Sequence, residues 1–253
     1  MLHSTPLQGL ARRTIPSPIR DLLRQNFGRG DAPIPVGGVR FGALRRLTPI
    51  SREYGFDRGL PIDRYYIERF LARSAPDIRG RVLEVGDNQY TTTFGRDRVT
   101  ASDILHVTHG NPKATIVGDL ATANHVPTAT FDCIILTQTL QLIYDLRAAI
   151  TTVHRILKPN GVLLATVPGI SPIAQDEWAQ YWCWSFTQQS SRRLCEEVFP
   201  PNAVTTGAYG NVFAALAFLH GLAANELRRE ELAYRDPSYD LLITIRAVKP
   251  GLS

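Results

Sequence analysis

The sequence predicts an α/β domain built on a doubly wound, mostly parallel sheet. Three observations carry that prediction. From residue 61 onward, short runs rich in Val, Ile and Leu alternate with segments of helical period. Two of the runs, FDCIILT (131–137) and GVLLATV (161–167), are apolar almost throughout, as strands buried on both faces are. Several runs end in Gly or an acid, the residue types that open α/β sheets present to ligands at strand ends.

Residues 1–60 form a lead segment or cap rich in Gly, Pro and Arg, with a short helix over Pro18–Asn26 and a turn-like stretch from Phe27 to Gly38. The helix that follows, PIDRYYIERFLARSAP, places Ile62, Tyr65 or Tyr66, Phe70 and Leu71 on one face and stops at Pro76. RVLEVG (81–86) reads as the first strand, RVTASD (98–103) as the second and ATIVGD (114–119) as the third. After the fourth strand, Leu140, Ile143, Leu146, Ile150, Val153 and Leu157 repeat at steps of three and four, an amphipathic helix closed at Lys158–Gly161. The fifth strand, helices near 188–198 and 212–227, and a last strand over 240–248 complete the series, giving one domain over 61–253.

The 253 residues carry 28 basic and 23 acidic side chains, and 44% are hydrophobic, an ordinary globular balance. The charge is uneven: 14 arginines face seven acids through Gly80. That asymmetry suits either an anionic partner or an arginine-rich coding bias, and the second is preferred. No basic run interleaves with stacking aromatics, so no nucleic-acid partner is expected. The longest apolar stretch, Val212–Leu219, is too short to span a bilayer, and the N-terminus lacks the apolar core of a secretory signal. Cys133, Cys183 and Cys195 show no C-x-x-C spacing, which points to free thiols and a cytoplasmic setting.

The strand ends carry the chemistry. Asp103, 17 residues after Gly86, is a carboxylate that can accept both hydrogen bonds of a ribose diol, and Asp119 one that can accept from an adenine amine. A dinucleotide would need G-x-G-x-x-G, but the text is Gly86-Asp87-Asn88-Gln89-Tyr90-Thr91, with a single glycine and an acid beside the would-be pyrophosphate. NAD and NADP are disfavoured; an adenosyl ligand without phosphate fits.

RVLEVGDNQY, VTASD, GDL, FDCIILTQTLQLIYDL and HRILKPNGVLLATVPG, in this order, resemble a class I S-adenosylmethionine-dependent methyltransferase over residues 61–169. DRGLPIDRYYIERFL, the 178–187 stretch and GNVFAALAFLHGLAANEL resemble a subgroup found with glycosyltransferases and in glycan or glycosylated-metabolite pathways. The resemblance implies a Rossmann-like, seven-stranded sheet and S-adenosylmethionine as cofactor. Carried onto this chain, Glu84, Gly86, Asp87 and Asn88 meet the methionine part of the cofactor, with Arg64, Tyr65 or Tyr66 at its carboxylate. Asp103 meets the ribose and Ile104 covers the adenine. Asp119 and Leu120 meet the adenine edge, and Thr137 and Gln138 line the sulfonium and acceptor.

Two departures stand out. Asn88 and Tyr90 replace glycines of the first motif; Asn88 tolerates left-handed angles and can keep the turn, whereas Tyr90 narrows the pocket. Leu142 stands where many relatives carry a His, leaving His106 and His109 as candidate general bases. Their Asp103-x-x-His106-x-x-His109 spacing also suggests a metal site, but loop ordering and solvation account for it, and no metal is expected. Tyr144, Trp178, Tyr181 and Trp182 are candidate substrate contacts, since aromatic faces suit sugar rings; anchoring of the next helix is the competing account.

The leading expectation is O-methylation of a sugar hydroxyl on a glycan, nucleotide sugar or glycosylated metabolite. The alternatives are a catalytically silent scaffold for a glycosyltransferase and a methyltransferase fold recruited to other chemistry such as cyclisation. A homodimer is a further candidate, built on the apolar 212–219 face.

Overall fold

Seven strands form one sheet in the order β3-β2-β1-β4-β5-β7-β6 in the computed structural model, which describes residues 34–251. The strands are β1 (Gly80–Val85), β2 (Val99–His106), β3 (Ile116–Val117), β4 (Phe131–Thr137), β5 (Leu157–Pro168), β6 (Val204–Tyr209) and β7 (Leu242–Val248). β1 to β5 run parallel, and β7 pairs antiparallel with both β5 and β6. This is the Rossmann-like, doubly wound sheet expected.

The helices are α1 (Ile62–Arg73), α2 (Leu146–Ile156), α3 (Gln188–Glu196), α4 (Val212–Leu219) and the short α5 (Arg229–Ala233). Alternate strand residues feed two apolar layers, as the two-residue strand period requires. Leu83, Ile134, Leu136 and Leu163 pack with α2 and α3; Val82, Cys133, Ile135 and Leu164 pack with α1 and α4. Local chemistry marks the helix starts: Asp145 accepts from the amide of Ala148 at 3.0 Å, Thr187 and Ser190 form a reciprocal capping box, and Asn211 accepts from Ala214 at 2.9 Å. At the end of α2, Lys249 donates to the carbonyls of His154 and Leu157, each at 2.8 Å.

Several boundaries differ from the expected ones. β2 continues three residues past Asp103, whereas β3 holds only two residues. The helix read from Leu140 begins at Leu146, after a 3-10 turn at Leu140–Leu142, and β5 starts at Leu157, before the Lys158–Gly161 stop. The apolar helix stops at Leu219. β6 was not expected: Val204-Thr-Thr-Gly-Ala-Tyr209 is too weakly apolar to show a strand period.

The chain divides into two compact units, residues 1–47 and 48–253. In the first, Gly42–Leu44 form a 3-10 turn; the expected Pro18–Asn26 helix and the turn-like stretch up to residue 33 lie outside the described residues. In the second, the amides of Ile50 and Ser51 both donate to the carbonyl of His220, so residues 48–60 are built into the sheet unit. Among the described residues no helix is long and apolar enough to cross a membrane. Cys133, Cys183 and Cys195 are all free.

The two-sided burial of β4 makes a direct prediction. Ile134 is fully buried, and Ile134→Ala is expected to cost about 2–5 kcal/mol of unfolding free energy, measured by urea denaturation.

Candidate functional site

A cleft of about 890 Å³ opens at the carboxyl ends of β1, β2 and β4, where the sheet order reverses between β1 and β4. Its volume is in the range of small-molecule sites. Gly86, Asp87, Gln89 and Tyr90 border it after β1; His106, Val107 and Thr108 do so at the end of β2. Gly118, Asp119 and Leu120 follow β3, and Thr137, Gln138 and Thr139 follow β4. Arg64 and Glu68 enter from α1, and Tyr144, Trp178, Gln180 and Tyr181 form the outer wall.

The loop after β1 is tied to the sheet by Glu84. Its buried carboxylate accepts from the amides of Tyr90 at 3.2 Å and Thr91 at 2.7 Å. Burial pushes the carboxyl up to about 7 despite those donors. Gly86 sits at φ +92° with open space where a Cβ would stand, so the cleft floor there is bare backbone. Asn111 Nδ2 donates to the Gly86 carbonyl at 2.6 Å. Asn88 is not in the left-handed region; its carbonyl accepts from the Thr92 amide, starting the short π-helical turn Thr91–Gly95. The left-handed angle falls instead on Gln138, at φ +49°, whose side chain accepts from Gln141 at 3.2 Å. A non-glycine residue held there stores strain of about 1–3 kcal/mol, a feature concentrated at functional sites.

Arg64 supplies the cation. Burial works against its charge, but Asp63, the Tyr90 hydroxyl and Asp87 outweigh this and hold its pKa above the usual value. Tyr65, the neighbour expected at the cofactor carboxylate, is turned away from the cleft and accepts from Arg69 at 2.7 Å.

The structure brings together Gly86, Asp87, His106, Asp119, Leu120, Thr137, Gln138, Tyr144, Trp178 and Tyr181. Glu84 and Asn88 act on the loop from behind. Asp103, Ile104, His109 and Trp182 do not border the cleft. Asp103 faces the opposite, amino-terminal edge of the sheet, in a depression shared with Arg81, Phe131 and Lys158. There it pairs with Arg81 Nε at 2.7 Å and accepts from Thr115 Oγ1 at 2.9 Å; although burial opposes ionisation, these donors hold its pKa below the usual range. The reason is register: Leu83 pairs with Asp103, but Val85 pairs with Leu105, so the strand tip lies beyond the acid. Ile104 is buried in β2 and covers no ligand space. Val107 and Thr108, together with Phe56 and Leu60 of the preceding segment, were not expected in the cleft. The signal for the first two was the apolar run continuing through Ile104-Leu105.

A methyltransferase-domain family model matches residues 61–201, more than half of the chain. The chain belongs to this family. With it comes the methyl donor, S-adenosylmethionine, and the cleft has the donor set for it: the half-buried Arg64 cation at one end, bare backbone at Gly86, and apolar side chains with Asp119 at the other. No curated protein matches the chain. Among solved structures it is similar to an S-adenosylmethionine-dependent methyltransferase from Archaeoglobus fulgidus (11% identity, 73% of this chain, 94% of that one, TM-score 0.49). It is also similar to phosphoethanolamine N-methyltransferase 2 from Haemonchus contortus (13%, 79% and 60%, 0.47) and to the [4+2]-cyclase SpnF (17%, 77% and 84%, 0.48). Among the described residues no group of three or more His, Cys, Asp or Glu is placed to hold a metal ion.

Because the Glu84 carboxyl is raised in the fold, to about 7 from an ordinary 4.5, the folded state holds an extra proton between those values. The group's contribution is therefore full below 4.5 and lost as pH rises to 7, a change on the order of 3 kcal/mol. Urea denaturation of the wild type and Glu84→Gln at both ends of that window is expected to show their difference moving by this amount in favour of the variant at higher pH.

Proposed function

We propose that the protein transfers the methyl group of S-adenosylmethionine to a hydroxyl of a sugar-like ring on a glycan, nucleotide sugar or glycosylated metabolite. The observation that carries this reading is the aromatic outer wall. Trp178 and Tyr181 lie with ring centroids 6.2 Å apart, and Tyr144 stacks on Trp184 at 5.9 Å, with Trp184 Nε1 donating to the Ile143 carbonyl at 3.0 Å. Tyr144 and Tyr181 are exposed, offering faces to the C–H side of a ring that arrives from solvent. Gln138, Thr139 and Gln180 provide neutral hydrogen-bonding groups beside them.

The bound cofactor supplies an electrophilic methyl on a sulfonium. The chain supplies position. Arg64 takes the amino-acid carboxylate, the Gly86 backbone allows close approach, and Asp119 with Leu120 receives the adenine. Alignment of this kind contributes roughly 7–11 kcal/mol to lowering a barrier. The β4 tip presents the neutral groups of Thr137, Gln138 and Thr139 to the acceptor. A glycosyltransferase or a second copy of the chain is the partner that accompanies this reading, and the three free thiols accord with a cytoplasmic setting.

Calorimetric titration is expected to give micromolar binding of S-adenosylmethionine and S-adenosylhomocysteine and none of NAD. Arg64→Ala is expected to weaken both by about 10–150-fold, the loss of a hydrogen-bonded charge. Tyr181→Ala is expected to lower kcat/KM for sugar acceptors and leave cofactor affinity intact. Absence of adenosyl binding would instead favour the silent scaffold, the reading that Tyr90 in place of a loop glycine supports.

A further inference from the structure

We propose that His106, and not a carboxylate, receives the ribose hydroxyls of the adenosyl group. The inference rests on the cofactor reading above and names the contact that the position of Asp103 leaves open. β2 runs three residues beyond that acid, and both Asp103 oxygens are engaged at the far edge of the sheet. At the strand tip the pair Asp103-Ile104 is replaced by His106-Val107, an imidazole followed by a half-exposed apolar side chain, and both border the cleft. The Gly86 amide donates to the carbonyl of Leu105 at 3.0 Å, which sets His106 beside the bare backbone of the β1 turn.

The ring is held in one orientation. Nδ1 lies 2.9 Å from the Thr108 carbonyl and 3.3 Å from the Thr108 amide, and the ring meets Trp178 edge-on at 6.2 Å and 77°. With the proton on Nδ1 toward the Thr108 carbonyl, the shorter of the two contacts, Nε2 is the ring's lone-pair acceptor. A neutral imidazole with one free acceptor can take a hydrogen bond from a vicinal diol, one of the two that a carboxylate would take.

Position also separates this task from general-base catalysis. In the order β2-β1-β4, the β2 and β4 tips are two strand spacings apart, roughly 9–10 Å. A base must come within about 3 Å of the group it deprotonates. His106 thus stands nearer a ribose lying over β1 and β2 than an acceptor at Thr137–Thr139. His109, the other candidate base, does not border the cleft.

The test is calorimetry with S-adenosylhomocysteine and its 2′,3′-dideoxyribose analogue, on the wild type, His106→Phe and Asp103→Asn, each checked for folding by circular dichroism. His106→Phe keeps a flat ring against Trp178 and removes the acceptor. It is expected to weaken S-adenosylhomocysteine about tenfold and to leave the dideoxy analogue unchanged, while Asp103→Asn binds both as the wild type does. Equal loss for the two ligands in His106→Phe would reduce the ring to a shaping role and overturn the proposal. So would wild-type affinity in His106→Phe, a result that leaves the cofactor reading standing. A wild-type protein that binds neither compound would overturn both.

Discussion

The cleft depends on one buried carboxylate. Glu84 lies inside β1, and its two oxygens take the amides of Tyr90 and Thr91, closing the loop that carries Gly86, Asp87 and Tyr90 to the ligand side. Unpaired, those amides would sit at a buried turn without acceptors, at a cost of about 1–3 kcal/mol each. The same burial that makes Glu84 a firm anchor also makes its charge expensive, which is why its pKa is pushed up to about 7. The loop that follows is a single π-helical turn and a 3-10 turn, with no long helix behind it. Its shape is therefore held largely by Glu84 and by Asn111 on the Gly86 carbonyl.

Around this anchor the sheet sorts charge by edge. The amino-terminal edge carries the paired groups Arg81–Asp103 and Lys158–Asp132, both at 2.7 Å. The carboxyl-terminal edge gathers Arg64, Asp87, Asp119 and His106. On the function proposed, these are the side chains that a zwitterionic, phosphate-free ligand would meet. The strain at Gln138 falls at the β4 tip, between the cofactor side and the aromatic wall, and the Gln138 amide donates to Thr166 on β5 to hold it there.

The outer wall is built from a loop tied back to the sheet. The amides of Cys183 and Trp184 donate to the Gln141 carbonyl, the Trp184 indole donates to Ile143, and the Phe186 amide donates to Pro168. These bonds fix the base of the segment and leave Trp178 and Tyr181 to face the cleft. Trp182, expected beside them, falls outside it: successive residues along the 3-10 turn Ala179–Tyr181 point in different directions, so one neighbour enters and the next does not.

The sequence by itself determined the alternation of strands and helices, the two-sided burial of β4 and β5, and the single-glycine turn after β1, since each is a property of neighbouring residues and the periods of strand and helix. It also singled out the strand ends, and Gly86, Asp119, Leu120, Thr137 and Gln138 all border the cleft. Only the tertiary structure decided where β2 stops. Two more residues of pairing against β1, and the pairing of His106 with β3, carry Asp103 away from the cleft and put His106 at its edge. Local pattern could not show this, because VTASDILH is equally good strand text whether it ends at the acid or at the histidine. Hydrogen bonding to a neighbouring strand, far away in sequence, chose between them.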